Sequence, residues 1–161
     1  MIKEILFTGI DGMAWVKPSR DTVVISILDQ SEKHRRPKLA GYRSVLELSF
    51  EDTYEEGKLA APGGWPDEPS DEEHARFAQG PGERVPTLTD ARAIVNFIME
   101  HQANREESLT LLVHCYGGIS RSAAVAQWAS VNLWLPIGTD RSTEYANPRL
   151  LRLLDKAAGR R

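Results

Sequence analysis

The stretch Leu111-Leu112-Val113-His114-Cys115-Tyr116-Gly117-Gly118-Ile119-Ser120-Arg121-Ser122-Ala123-Ala124-Val125 decides how this chain folds. Its apolar start reads as a buried strand that stops near His114, and its apolar end reads as the opening of a buried helix. Between them lies a short Gly-rich turn. Such a turn can aim successive backbone N–H groups at one point, and the positive end of the following helix adds to their field, so the turn is an anion cradle. The same field favours a thiolate, which makes Cys115, the only cysteine of the chain, a candidate nucleophile. Arg121 adds a planar fork able to hold two phosphate oxygens. Nucleophile, cradle and fork together point to attack on a bound phosphate ester.

His114, Cys115, Gly118, Arg121 and Ser122 spell His-Cys-x-x-Gly-x-x-Arg-Ser. This pattern resembles the signature loop of the cysteine-dependent protein tyrosine and dual-specificity phosphatases. The resemblance implies that Cys115 attacks phosphorus and carries a cysteinyl-phosphate. It implies that Arg121 and the backbone of Tyr116, Gly117, Gly118, Ile119 and Ser120 bind the phosphate oxygens. Ser122 would hydrogen-bond the sulfur and help it leave, and His114 would orient the loop rather than move protons. No metal or other cofactor enters that chemistry. The likeness runs roughly from Thr22 to Leu154, with Tyr145-Ala146-Asn147-Pro148 resembling the entry to the family's last helix.

The leaving group needs a proton, which one Asp on a nearby loop can supply and later retrieve from water. Two residues compete. Asp52 follows the strand-like Val45–Phe50, an arrangement that resembles the dual-specificity enzymes. Asp67 lies in Trp65-Pro66-Asp67, the spelling of the acid loop in the tyrosine-specific enzymes. Topology favours Asp52, because it leaves a strand end, whereas Asp67 lies inside an insertion; both are farther from Cys115 than is usual for the family. Asp90 is better used at the start of a helix.

The remaining chain supplies an α/β pattern. Ile2–Phe7, Thr22–Leu28 and Ser44–Phe50 read as strands, and Leu109–Val113 as the strand before the loop. Thr87-Leu88-Thr89-Asp90 fits a capping box ahead of Ala91, Ile94, Val95 and Ile98 at helical spacing. Asn147-Pro148 opens a last amphipathic helix. Strands joined by long crossovers predict a mainly parallel sheet of four to five strands with helices on both faces, its ligand site at the carboxyl ends of the strands. The reading is one domain over residues 1–161, with an acidic, Pro/Gly-rich insertion at about 53–86 that contains a short helix near Ser70–Ala78. Asp29–Lys38 reads as a loop whose cations form either a solvated segment or a basic rim for an anionic substrate. Trp128 and Trp134 are expected in the core.

Composition narrows the classes. At 161 residues and 41% apolar content, the chain can bury a real core. No apolar run is long enough for a bilayer, and no signal peptide is read at Met1–Phe7. A single cysteine rules out an internal disulfide and suits a reducing cytoplasm. A net charge of −3 argues against generic nucleic-acid binding, and the four His are scattered, without metal-ligand spacing. The expected partner is a phosphorylated protein or small phosphate ester. Tyr116, Gly117, Ile119 and Ser120 bring no Lys into the loop, which favours phosphotyrosine, alone or with phosphoserine/threonine, over polyphosphorylated lipids. Alternatives are a nucleotide, RNA-end or inositol phosphatase, a phosphate-binding pseudo-enzyme and a rhodanese-like sulfur carrier. The oligomeric state is open.

Overall fold

The computed structural model describes residues 1–55, 64–78 and 82–160. Much of the predicted insertion, including Pro62-Gly63 and Gly80-Pro81, lies outside the described residues. Four strands form one sheet: β1 (Ile2–Thr8), β2 (Thr22–Leu28), β3 (Ser44–Ser49) and β4 (Leu109–His114), in the order β1-β4-β2-β3, every pair parallel. The two interior strands are β2, Thr-Val-Val-Ile-Ser-Ile-Leu, and β4. Both are buried on either face, as parallel interior strands require. Because all four run the same way, Thr8, Leu28, Ser49 and His114 end at one edge of the sheet. The residues that follow them, Gly9, Asp29, Phe50 and Cys115, are delivered to one place.

Among the described residues, five α-helices accompany the sheet: α1 (Ile10–Met13), α2 (Asp71–Phe77), α3 (Leu88–Ala103), α4 (Arg121–Leu133) and α5 (Pro148–Ala157). Alternation along the strands sends Val23, Ile25, Ile27, Leu111 and Val113 to the face covered by α3, α4 and α5, where the main core forms. Val24 and Leu112 face the other way. They meet a smaller cluster with Met13 of α1 and Tyr42. Both faces are covered, unequally. Each fully buried Ile or Leu side chain contributes about 2 kcal/mol of burial. No described helix is long and apolar enough to cross a membrane.

Two local expectations need correction. Asp29–Lys38 is not all loop, since Gln30–Arg35 forms a 3-10 helix. Trp128 is buried, but Trp134 is 91% exposed. It caps α4 in a left-handed conformation (φ 57°), so its side chain leaves the helix face that feeds the core.

The described insertion packs beside α5. Trp65 packs with Val85 and meets Phe77 edge to face, and His74 closes that small cluster. Ser70 and Glu73 cap α2 reciprocally. Arg149 of α5 is wholly buried and donates to the carbonyls of Pro86, Pro66 and Trp65 and to the Glu55 carboxylate. One turn on, Arg152 pairs with Glu55 and Asp67, and Lys156 pairs with Asp67. The acidity of the segment is thus matched by one basic face of α5.

Candidate active site

The turn between β4 and α4 is pressed against the turn after β1. Gly118 adopts φ +66°, and a Cβ there would lie 2.2 Å from the Gly9 nitrogen, so only glycine fits. Gly117 has no such requirement; its nearest neighbour would be the Ile119 side chain at 3.7 Å. Outward-facing carbonyls fix the loop. The Tyr116 carbonyl accepts from the Ile10 N–H at 2.9 Å, and those of Gly117 and Gly118 accept from Arg141 Nη1 at 3.3 and 3.0 Å. No described peptide is cis. In a trans peptide the next N–H points opposite the carbonyl, so the amides of Gly117, Gly118 and Ile119 turn inward. The Gly118 N–H accordingly reaches Cys115 Sγ at 3.2 Å.

Cys115 lies at the floor of this ring, 2% exposed, with Ser122 Oγ 3.1 Å from its sulfur. His114 stands on the opposite face of the strand. Its Nδ1 donates to the Cys115 carbonyl at 3.3 Å, and its Nε2 lies 2.6 Å from Ser26 Oγ, which in turn accepts from Arg36 Nη1 at 2.7 Å. With Arg36 donating, the Ser26 hydroxyl hydrogen goes to Nε2, which assigns the neutral Nδ1–H tautomer. Burial pushes the His114 pKa down to about 4, and the Arg36 and Arg121 cations act in the same direction. Arg36, expected in a solvated segment or on a basic rim, instead ties the ends of β2 and β3 through Ser26, Leu48 and Ser49.

A stability prediction follows from His114. The unfolded chain binds a proton near the ordinary pKa of about 6.5, whereas the folded chain refuses it until about 4. Stability carried by the neutral imidazole is therefore lost as pH falls through that window, by up to about 3 kcal/mol. Urea unfolding from pH ~7 to pH ~4 should show this slope in the wild type, and it should be missing in His114→Asn. The same slope in both proteins would contradict the assignment.

Arg121, at the first turn of α4, is 5% exposed. Its Nη1 pairs with Asp29 and donates to the Phe50 carbonyl at 2.8 Å, while its buried Nε has no partner. The Nη1 side is held by the ends of β2 and β3. The Nε–Nη2 edge is the one left to receive two oxygens of an anion.

Asp52 lines the same cavity, of about 300 Å³, with Cys115, Gly117, Ile119, Ser120, Arg121, Tyr54 and Tyr145. Its Oδ1 accepts from Ser120 Oγ at 2.6 Å and from Asn147 Nδ2 at 2.7 Å, and its Oδ2 accepts from Tyr54 OH at 3.4 Å. Asn147 is wholly buried. Its Oδ1 caps α5 at the Leu150 N–H, its Nδ2 also donates to the Thr53 carbonyl, and its N–H donates to the Ser120 carbonyl. One residue thus ties the β4–α4 loop, the Asp52 segment and α5 together. Asp67 lies elsewhere, on α5, where the hydrogen bond from Lys156 and the neighbouring Arg152 hold its carboxyl below the usual carboxylate range.

The structure gathers Cys115, Arg121, Ser122, His114, Asp52 and the backbone of Tyr116–Ser120 at one sheet edge, and leaves Asp67 out. Several participants were not singled out from the sequence as site residues, among them Tyr54 and Tyr145 of the cavity and Ser26 and Arg36 beside His114. Asp29 had a signal, since it directly follows β2 at the edge where Cys115 follows β4. Asn147 was legible only as a helix cap, and Arg141 carried no signal. Among the described residues, no cluster of His, Cys, Asp and Glu could hold a metal ion.

No family model matches the chain, and no curated protein matches it. Among solved structures the chain is similar to the human tyrosine phosphatase-like serine/threonine/tyrosine-interacting protein, with 16% sequence identity and a TM-score of 0.42 over 86% of this chain and 76% of that one.

Proposed function

We propose that the chain is a metal-independent phosphatase that hydrolyses phosphotyrosine, and the related phosphoserine/threonine esters, through a cysteinyl-phosphate. The single observation that carries this reading is the convergence on one cavity of Cys115, Gly117, Ser120, Arg121 and Asp52, with the Gly118 N–H on the Cys115 sulfur and the Arg121 Nε unpartnered. The Cys115 sulfur attacks phosphorus as the bond to the leaving oxygen breaks. Loop amides and Arg121 hold the non-bridging oxygens where charge builds. Asp52 protonates the leaving oxygen. Two donors already occupy its Oδ1, so the proton travels on Oδ2. In the second step Asp52 takes a proton from the attacking water, and Ser122 donates to the departing sulfur. His114, neutral and bonded on both nitrogens, positions the loop. Tyr54, Ile119 and Tyr145, all partly exposed at the mouth, suit an aryl leaving group. The whole chain acts as one domain in this reading.

The test is turnover of p-nitrophenyl phosphate with EDTA present and with vanadate as inhibitor. Activity should survive chelation and fall with vanadate. Asp52→Ala should slow alkyl phosphates by about 10²-fold or more while barely changing aryl phosphates with good leaving groups. Inactivity toward aryl phosphates by folded protein would overturn the reading. The same leaving-group pattern from Asp67→Ala would move the acid to the insertion.

A further inference from the structure

We propose that the site takes phosphotyrosine within an acidic peptide, with carboxylates beside the phosphorylated residue docking on a cationic rim formed by Lys33, Arg35, Lys38 and Arg141. This rests on the phosphatase reading and goes beyond it by naming the sequence around the ester.

The rim is built onto the signature loop itself. Arg35, at the end of the 3-10 helix Gln30–Arg35, donates from Nη1 to Tyr116 OH at 3.0 Å, and its guanidinium carbon lies 5.8 Å from the centre of that ring. Tyr116 is the residue directly after the nucleophile. On the loop's other flank Arg141 holds the Gly117 and Gly118 carbonyls. Two exposed arginines therefore bracket Tyr116–Gly118, with Lys33, His34 and Lys38 exposed beside the first of them.

Charge accounting favours a substrate role for these groups. Among the described residues, the ion pairs use Arg36, Arg43, Arg121, Arg149, Arg152 and Lys156, and none uses Lys33, Arg35, Lys38 or Arg141. Of the acids near this edge, Asp29 is turned to Arg121, Asp52 to Ser120 and Asn147, and Glu51 to the Arg84 N–H; Glu32 sits in the same turn as Lys33, and exposed Asp140 directly precedes Arg141. The chain as a whole carries −3, so this rim is a local reversal of sign. Within the cavity lining, Tyr54 and Tyr145 offer uncharged aromatic surface. An aryl phosphate in the cavity with carboxylates directed to Arg35 and Arg141 matches both features.

Two phosphotyrosine peptides of equal length, one flanked by Glu and Asp and one by Gln and Asn, provide the test. At low salt the wild type should favour the acidic peptide by roughly tenfold in kcat/KM. Lys33→Ala/Arg35→Ala/Lys38→Ala should reduce that ratio to about 2-fold or less, and high salt should do the same in the wild type. Equal rates for the two peptides, or a triple variant that keeps the wild-type ratio, would overturn the inference. Turnover of p-nitrophenyl phosphate, measured alongside, reports on the phosphatase reading separately. If nothing is turned over, fluorescence anisotropy of the two labelled peptides on the Cys115→Ser protein decides the point. Tighter binding of the acidic peptide sustains the rim, and equal Kd values overturn it.

Discussion

Cys115→Ser is expected to lower turnover of p-nitrophenyl phosphate by at least about 10⁴-fold, with inorganic phosphate still bound to the variant. A serine hydroxyl is close in size to the thiol but remains protonated at neutral pH, so it offers no anionic nucleophile. Asp52 carries the leaving group's proton during this attack, and the groups beside the sulfur cannot take another. His114 faces the other side of the strand with both nitrogens engaged, and Ser122 is itself a hydroxyl. The cradle is independent of the sulfur. Its shape comes from the Ile10 and Arg141 bonds to the loop carbonyls and from the Gly9–Gly118 contact. Loss of rate with retained phosphate affinity, read by steady-state kinetics and calorimetry, is therefore the expected signature. Appreciable turnover by the variant would remove Cys115 from the mechanism.

Arg121→Lys should cost on the order of 10²–10³-fold in kcat although the charge is kept. In the proposed mechanism the arginine serves two sets of partners at once: Nη1 spans Asp29 and the Phe50 carbonyl, and the Nε–Nη2 edge is offered to the phosphate. A lysine ammonium is a compact point charge without a fork, and it cannot satisfy both sides in one geometry. Held by Asp29, it withdraws from the phosphate; drawn to the phosphate, it leaves Asp29 unpaired. Rate and phosphate affinity should fall together, unlike the pattern for Cys115→Ser. A near-normal rate would show that the fork is not used.

The sheet was legible because its signals are local. The β-branched run of β2 and the apolar run of β4 can be buried in few other ways, and the Thr87–Asp90 capping box marks the start of α3 by its own side chains. The residues proposed as nucleophile, cradle and fork were equally easy to place beside one another, since they occupy one short stretch. Polar pairings between distant segments were hidden. Arg149 reads as the polar face of an amphipathic helix, yet it is wholly buried because the carbonyls of Pro66 and Pro86 meet it there. Asp67 has the spelling of an acid-loop residue, but Arg152 and Lys156 claim it. Trp134 looks like core, but a left-handed cap turns it outward. Apolar periodicity records what leaves water, and it does not say which buried polar group finds which partner.

The most direct test of the central claim is to trap the intermediate. Protein mixed with a ³²P-labelled phosphotyrosine peptide is quenched in acid within the first turnover, digested and mapped. The label should reside on the peptide that contains Cys115 and be absent from the Cys115→Ser protein. Peptide dephosphorylation with no label on Cys115, or with label on another side chain, would contradict the cysteinyl-phosphate route.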